Sequence, residues 1–234
     1  MLNPRIAPSL FIKRLRTVAF FIGGGVIAYY VLMRAGFVMP MSEIPAVLCL
    51  EDGCEREPRL HPEMDSGTQP LLNAQQSIHD VLDVSSASNQ VSILIEKSQY
   101  RLTVFNNLRP IKSYPVVFGS SPAGDKLREG DRKTPEGIYR IRDLYPHPQW
   151  SKFIWLDYPT PQSWRNHLGA KMSGQLNPLF PIGGQIGIHG VPAGNDDLID
   201  QRSNWTWGCI SLKNKDVDEL YEVVSHGTIV EIVP

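Results

Sequence analysis

The run Ile186–Leu212, IGIHGVPAGNDDLIDQRSNWTWGCISL, holds one His-Gly pair, His189-Gly190, and one Gly-Cys pair, Gly208-Cys209, with a polar loop between them. Ile186 and Ile188 alternate with Gly187 and His189, which predicts a short strand with the isoleucines on one face and the imidazole on the other. Ile210 and Leu212 repeat that alternation after the cysteine. If the two strands pair, or lie one strand apart, His189 and Cys209 meet at one rim of a sheet. A thiol is a useful nucleophile as its thiolate and is mostly protonated near neutral pH, so it needs an imidazole to take or hold the proton. Cys209 and His189 are the candidates for those two roles. Gly208, without a Cβ, lets a substrate approach backbone N–H groups that stabilise an oxyanion. The bland alternative is a small buried cysteine and a hydrogen-bonded histidine at a strand end.

Texture on either side extends the β pattern. From about Gln90, Val91, Ile93 and Ile95, then Leu102 and Val104, then Tyr114 and Val116 alternate with polar residues, and Asn106-Asn107 supplies a turn, so an antiparallel meander is expected. Pro135 and Gly137 bracket the entry to a further strand, Ile138–Ile141. Residues 143–183 are rich in proline and tryptophan, which serves equally for a cleft wall, a lid or a cover over one sheet face. His147 and His167 lie there without metal-ligand spacing and read as surface or hydrogen-bonded histidines. After the cysteine, a helix starting at Asn214 or Lys215 shows Val217, Leu220, Tyr221 and Val224 on one side, Gly227 ends it, and Thr228–Val233 form a last strand.

The first third of the chain reads differently. Residues 1–34 carry five basic side chains and no acid, whereas the other 200 residues hold 18 basic and 24 acidic ones, so nothing there has the basic excess of a nucleic-acid binder. Thr17–Met33 is uncharged and largely apolar, and its seventeen residues span roughly 25 Å as a helix, the short end of a membrane crossing. A basic leader (1–16), a transmembrane anchor (17–34) oriented with its N-terminus in the cytoplasm, an extracytoplasmic stalk (35–89) and a catalytic domain (90–234) are therefore expected. A secretory signal peptide is the rival for the apolar run, although no small-x-small cleavage site follows it. Within the stalk, Leu71, Ile78, Val81 and Leu82 suit one short amphipathic helix, either packed on the domain or only linking to it. Cys49 and Cys54 suit a disulfide in an oxidising compartment, which leaves Cys209 as the odd thiol; free thiols and a metal site are the alternatives.

The His/Cys region resembles the catalytic signature of the YkuD-type L,D-transpeptidases, a His-Gly followed after a loop by Ser/Thr-His-Gly-Cys and a hydrophobic residue. His189 and Gly190 match its first part, and Thr206, Gly208, Cys209 and Ile210 its second. Gly130, Asp131, Thr134, Pro135, Gly137 and Tyr139 are similar to the family's GD-x-x-TP-x-G-x-Y segment. Trp207 stands where a second histidine is common, and Ser211 where arginine or asparagine is common. The resemblance implies a mainly β catalytic domain, a β-sandwich with one or two helices. It also implies L,D-transpeptidation of peptidoglycan stem peptides on the periplasmic side of a bacterial cytoplasmic membrane, without metal or organic cofactor, in the service of wall construction and cell shape. Cys209 would be the nucleophile and His189 its base, with Gly190, Thr206, Trp207, Gly208 and Ser211 near the substrate and carbapenem-type β-lactams as inhibitors. A cysteine amidase or L,D-carboxypeptidase, and an inert wall-binding protein, are the competing functions.

Overall fold

The computed structural model describes residues 8–50, 58–62, 70–82 and 90–234. Helix α1 (Pro8–Arg34) leads, and its stretch Leu15–Arg34 is long and apolar enough to cross a membrane, with none of it buried against the rest of the protein. A signal segment has the same length and polarity. Short helices α2 (Ile44–Val47) and α3 (Ile78–Val81) follow, the latter closed by a capping box between Ser77 and Asp80.

The remaining elements are β1 (Val91–Glu96), β2 (Arg101–Asn106), β3 (Arg109–Pro115), β4 (Gly137–His147), β5 (Ser151–Leu156), α4 (Pro161–Met172), β6 (Gly187–His189), α5 (Asp197–Asp200), β7 (Ile210–Ser211), α6 (Asn214–Val223) and β8 (Ile229–Val233). All eight strands belong to one sheet in the order β3-β2-β1-β8-β4-β5-β6-β7. The β1–β8 and β6–β7 pairs are parallel and the others antiparallel. The expected sandwich of separate sheets is thus one curled sheet. β4 is the reason: Gly137–Arg140 pairs with β8, and from Ile141 onward the same strand pairs with β5, with a bulge between Ile141 and Asp143 that bends it. Bridges Val117–Ser211 and Gly119–Thr206 bring the chain beyond β3 back to β7 and nearly close the curl.

Ile93, Ile95, Leu102, Val104, Ile141, Ile154, Ile188, Ile210, Val230 and Ile232 fill the interior from the strands, and Val217 and Leu220 of α6 seal it. The meander and the terminal helix-strand pair stand where their apolar periodicity places them. The β2–β3 turn falls one residue later than expected, at Asn107-Leu108 with both φ positive, because Asn106 stays in register opposite Val91 and Arg109.

Several described residues of the segment expected to form a stalk contact this domain. The Ile182 N–H donates to the Gly36 carbonyl at 3.0 Å, and the Ser113 N–H to the Leu72 carbonyl at 3.0 Å. Arg165 Nη1 donates to the Ala46 carbonyl at 2.6 Å. Val47 and Ile78 are part of the core. His61 is buried, with Nδ1 2.7 Å from Glu231 and Nε2 2.8 Å from Ser92 Oγ. Cys49 is engaged in a disulfide and Cys209 is a free thiol, while Cys54 lies outside the described residues.

Because Ile78 is fully buried beneath the sheet, Ile78→Ala is expected to destabilise the domain by about 2–5 kcal/mol. Denaturant unfolding followed by tryptophan fluorescence reads this directly. An unchanged midpoint would mean that residues 70–82 only tether.

Candidate active site

β6 and β7 pair directly and in parallel, Ile188 opposite Ile210 and His189 opposite Ser211. Alternation buries both isoleucines in the core and turns His189 and Ser211 to the other face. Cys209 precedes the first paired residue of β7, so it sits where the ladder opens. Its sulfur receives the Gly187 N–H and lies 3.5 Å from the Gln185 carbonyl, which accepts the S–H. The imidazole thus stands two residues further along the strand that holds the sulfur, about 7 Å of backbone away.

His189 is 2% exposed. Its ring stacks on Trp150 at 4.5 Å and on Phe153 at 5.6 Å between centroids, and the edge of Trp205 meets it at 5.6 Å. Nδ1 lies 2.7 Å from the Gly190 carbonyl. A carbonyl only accepts, so Nδ1 carries the proton and Nε2 keeps the lone pair of a base. Ser211 Oγ donates to that same carbonyl at 3.2 Å, so both residues of the His189–Ser211 pair are tied to one oxygen.

The close packing depends on glycines. A Cβ on Gly187 would lie 2.4 Å from the Phe153 ring, and one on Gly190 would lie 2.1 Å from Asn214 Oδ1 and 2.6 Å from the Trp150 carbonyl. Gly208 adopts φ 139°, and its Cβ would meet the Lys133 carbonyl at 2.6 Å. Thr206 is buried and shapes the turn: its Oγ1 donates to the Cys209 carbonyl at 2.7 Å and accepts the Gly208 N–H at 3.2 Å. The Gly208 amide, expected among the oxyanion donors, is therefore already committed. Trp207 stands 77% exposed at the rim, 6.0 Å from the Arg132 guanidinium.

A loop from Lys126 to Thr134 props this turn from behind. The Asp131 carboxylate accepts from the N–H groups of Leu127, Arg128 and Lys133 at 2.9, 3.0 and 3.1 Å and from Lys126 Nζ at 2.7 Å. Burial alone would raise its pKa, but the ammonium and the amides outweigh burial and hold it below the usual carboxylate range. The Thr134 hydroxyl accepts the Gly119 N–H at 3.1 Å. Lys126 Nζ comes within 3.6 Å of where a Gly208 Cβ would be.

The Cys209 thiol and the His189 imidazole both rest neutral. Burial pushes the Cys209 thiol up to about 11, against smaller downward pulls from the Gly187 N–H and Lys126. Burial pulls His189 down to about 4; its bond to Gly190 acts the other way, and His147 adds a small push downward. A preformed thiolate–imidazolium pair would need the two values in the opposite order.

Trp150, Phe153, Trp205, Gln185, Gly187 and Lys126 are the site residues that sequence reasoning missed. Phe153 alternates with Trp155 along β5, but nothing local marked its contact with His189, and nothing marked Trp150 or Lys126. His147 stacks on Trp150 at 4.4 Å, and His167 is buried with Nδ1 2.6 Å from the Leu127 carbonyl. Two other concavities, about 670 Å³ beside Glu222 and Ile229 and about 200 Å³ beside His61 and Glu231, are lined by neither Cys209 nor His189.

The fold is thus a mainly β curled sheet that places His189 at the end of β6 and Cys209 at the entry to the adjacent parallel strand β7. The L,D-transpeptidase catalytic domain, YkuD, matches residues 90–232, and the chain belongs to that family. Among solved structures, the helical cell shape determining protein Pgp2 from Campylobacter jejuni is 24% identical, with a TM-score of 0.45 over 66% of this chain and 53% of that one. Bd1075 from Bdellovibrio bacteriovorus is 22% identical, TM-score 0.42, over 70% and 54% of the two chains. The L,D-transpeptidase from Mycobacterium smegmatis is 14% identical, TM-score 0.41, over 62% and 59%. The match therefore spans little more than half the length of these structures. No curated protein matches the chain.

The neutral resting pair predicts the pH profile of the free protein. The rate of Cys209 alkylation by iodoacetamide should rise about tenfold per pH unit and level off only near pH 11. A plateau already present below pH 7 would indicate a standing thiolate.

Proposed function

We propose that the chain is a peptidoglycan L,D-transpeptidase working through a Cys209 thioester. The observation that carries this reading is the fixed tautomer of His189: with Nδ1–H held by Gly190, only Nε2 is left to move a proton. The acyl donor is a stem tetrapeptide. Cys209 Sγ attacks the carbonyl at the L-centre of its diaminopimelate residue while His189 Nε2 takes the thiol proton. The S–C bond forms, the C–N bond to D-alanine breaks, and the proton leaves on the departing amine. An amine acceptor then attacks the thioester, His189 takes its proton, and the thiol is regenerated.

Because thiol and imidazole start neutral, proton transfer must accompany attack, and substrate must bring the sulfur off the Gln185 carbonyl toward Nε2. The Cys209 amide, next to the committed Gly208 amide, is the oxyanion donor in this scheme. Gly190, Thr206, Gly208 and Ser211 shape the site from beneath, by turn geometry and close approach. Trp207 faces outward and walls the donor groove. α1 is the single-pass anchor, and the catalytic domain lies on the periplasmic side, where its substrate is. Carbapenem-type β-lactams acylate the same sulfur.

Intact-protein mass spectrometry tests the chemistry. The full chain with a tetrapeptide stem should show a transient adduct at the mass of the acyl group, absent with a pentapeptide stem and absent in Cys209→Ala. His189→Gln should cut the rate by about 10²–10⁴ with the thiol intact. A product that gains water even with amine acceptor present would assign a hydrolase, and no adduct under reducing conditions would leave an inert wall-binding protein. Trp207→Ala should weaken donor affinity; unchanged turnover and affinity would remove it from the groove.

A further inference from the structure

The chain turns back on itself where α1 ends. Tyr29 Oη donates to the Met39 carbonyl at 3.3 Å and accepts the Met41 N–H at 2.8 Å. Tyr29 lies five residues before Arg34, the last residue of α1, so Met39–Met41 run beside the helix about 7 Å back from its end. Met41 is 67% exposed at that level. Leu48 and Leu50, on the segment that follows, are 60% and 72% exposed, and Phe37 is exposed as well. On the other side of the junction, Leu179 is 79% exposed only three residues before Ile182, whose N–H binds the Gly36 carbonyl. The junction is tight: a Cβ on Gly36 would lie 3.1 Å from the Gly183 nitrogen, and both glycines have positive φ.

We infer that Phe37, Met41, Leu48, Leu50 and Leu179 form a foot that seats the catalytic domain in the headgroup–acyl boundary of the bilayer crossed by α1. This rests on reading α1 as a membrane anchor. The occupant follows from continuity with the helix. A side chain hydrogen-bonded into the flank of a membrane helix below its last residue lies at the depth of that flank. Tyr29 and Tyr30 stand where aromatic residues mark the interface, with Arg34 at the level of the lipid phosphates. Apolar groups at that depth gain by burial and would be costly to leave in water in such number.

The seat bears on the site. From Gly36, one hydrogen bond reaches Ile182, three residues of chain reach Gln185, and its carbonyl touches the Cys209 sulfur. That path keeps the sulfur within about 20 Å of Gly36 even with the chain fully extended. The reaction would therefore take place close to the bilayer surface.

The test uses the full chain reconstituted in vesicles of phosphatidylethanolamine and phosphatidylglycerol that carry a small fraction of lipid with an acyl-chain diazirine. After photolysis, adducts are mapped by peptide mass spectrometry. Expected are adducts on the α1 peptide and on peptides carrying Met41, Leu48–Leu50 and Leu179, several-fold above those carrying Leu108 and Tyr145, which are apolar and exposed elsewhere on the domain. The variant Met41→Ser/Leu48→Ser/Leu50→Ser should lose the adducts of its own segment and keep those of α1. Label on α1 alone overturns the foot and leaves the anchor standing. Label on neither overturns both, and cross-links between copies at these residues in place of lipid adducts assign the face to a second chain.

Discussion

One carbonyl oxygen organises the active end of this protein. The Gly190 oxygen accepts the Nδ1–H of His189 and the hydroxyl of Ser211, and so ties β6 to β7 at the point where side chains turn from core to cleft. It fixes the imidazole tautomer, leaving the lone pair on Nε2. It can do so because residue 190 is glycine: any side chain there would occupy the position of Asn214 Oδ1 and of the Trp150 carbonyl. The same close approach lets Trp150 stack on the imidazole. Tautomer, packing and low polarity around the base thus share one cause.

That low polarity decides the resting state. Burial among three aromatic rings disfavours a protonated imidazole, and burial likewise keeps the thiol protonated against the weaker pull of the Gly187 N–H. Thiol and imidazole are therefore both neutral in the free protein. Lys126 is the nearby cation that favours the thiolate, but Asp131 holds it in an ion pair and weakens its pull. The Asp131 loop sets the position of the Gly208–Cys209 turn, through the Lys133 carbonyl lying against Gly208, and lends the sulfur little charge.

What could be read from the chain followed periodicity. Ile186, Ile188, Ile210 and Leu212 gave away the two strands beside His189 and Cys209, although alternation left open whether those strands pair directly. α6 was legible from Val217, Leu220 and Val224. The single sheet was not. β4 continues past Ile141 through Arg142, Asp143, Tyr145 and Pro146, all of them exposed, so no apolar face announces that one strand serves both layers. The aromatic enclosure of His189 draws on β5 and on the loops at Trp150 and Trp205, a contact between segments that no local pattern encodes. Lys126 was invisible because an ion pair across a loop has no period. The segments before β1 looked like a tether because each offers the core only an isolated side chain, such as Val47 or Ile78, between polar and proline-rich residues.

Those isolated side chains explain why the domain cannot be separated cleanly from what precedes it. Val47 packs in the same core as the β1–β8 pair, and His61 lies against the outer face of that pair, bonded to Glu231 and Ser92. Gly36 reaches the loop that ends at Gln185, and Gln185 is the residue on which the thiol rests. Only the short segment Ile182–Gln185 lies between these two contacts. The end of α1 and the Cys209 thiol are thus linked by a short path of contacts although 175 positions separate Arg34 from Cys209 in the chain.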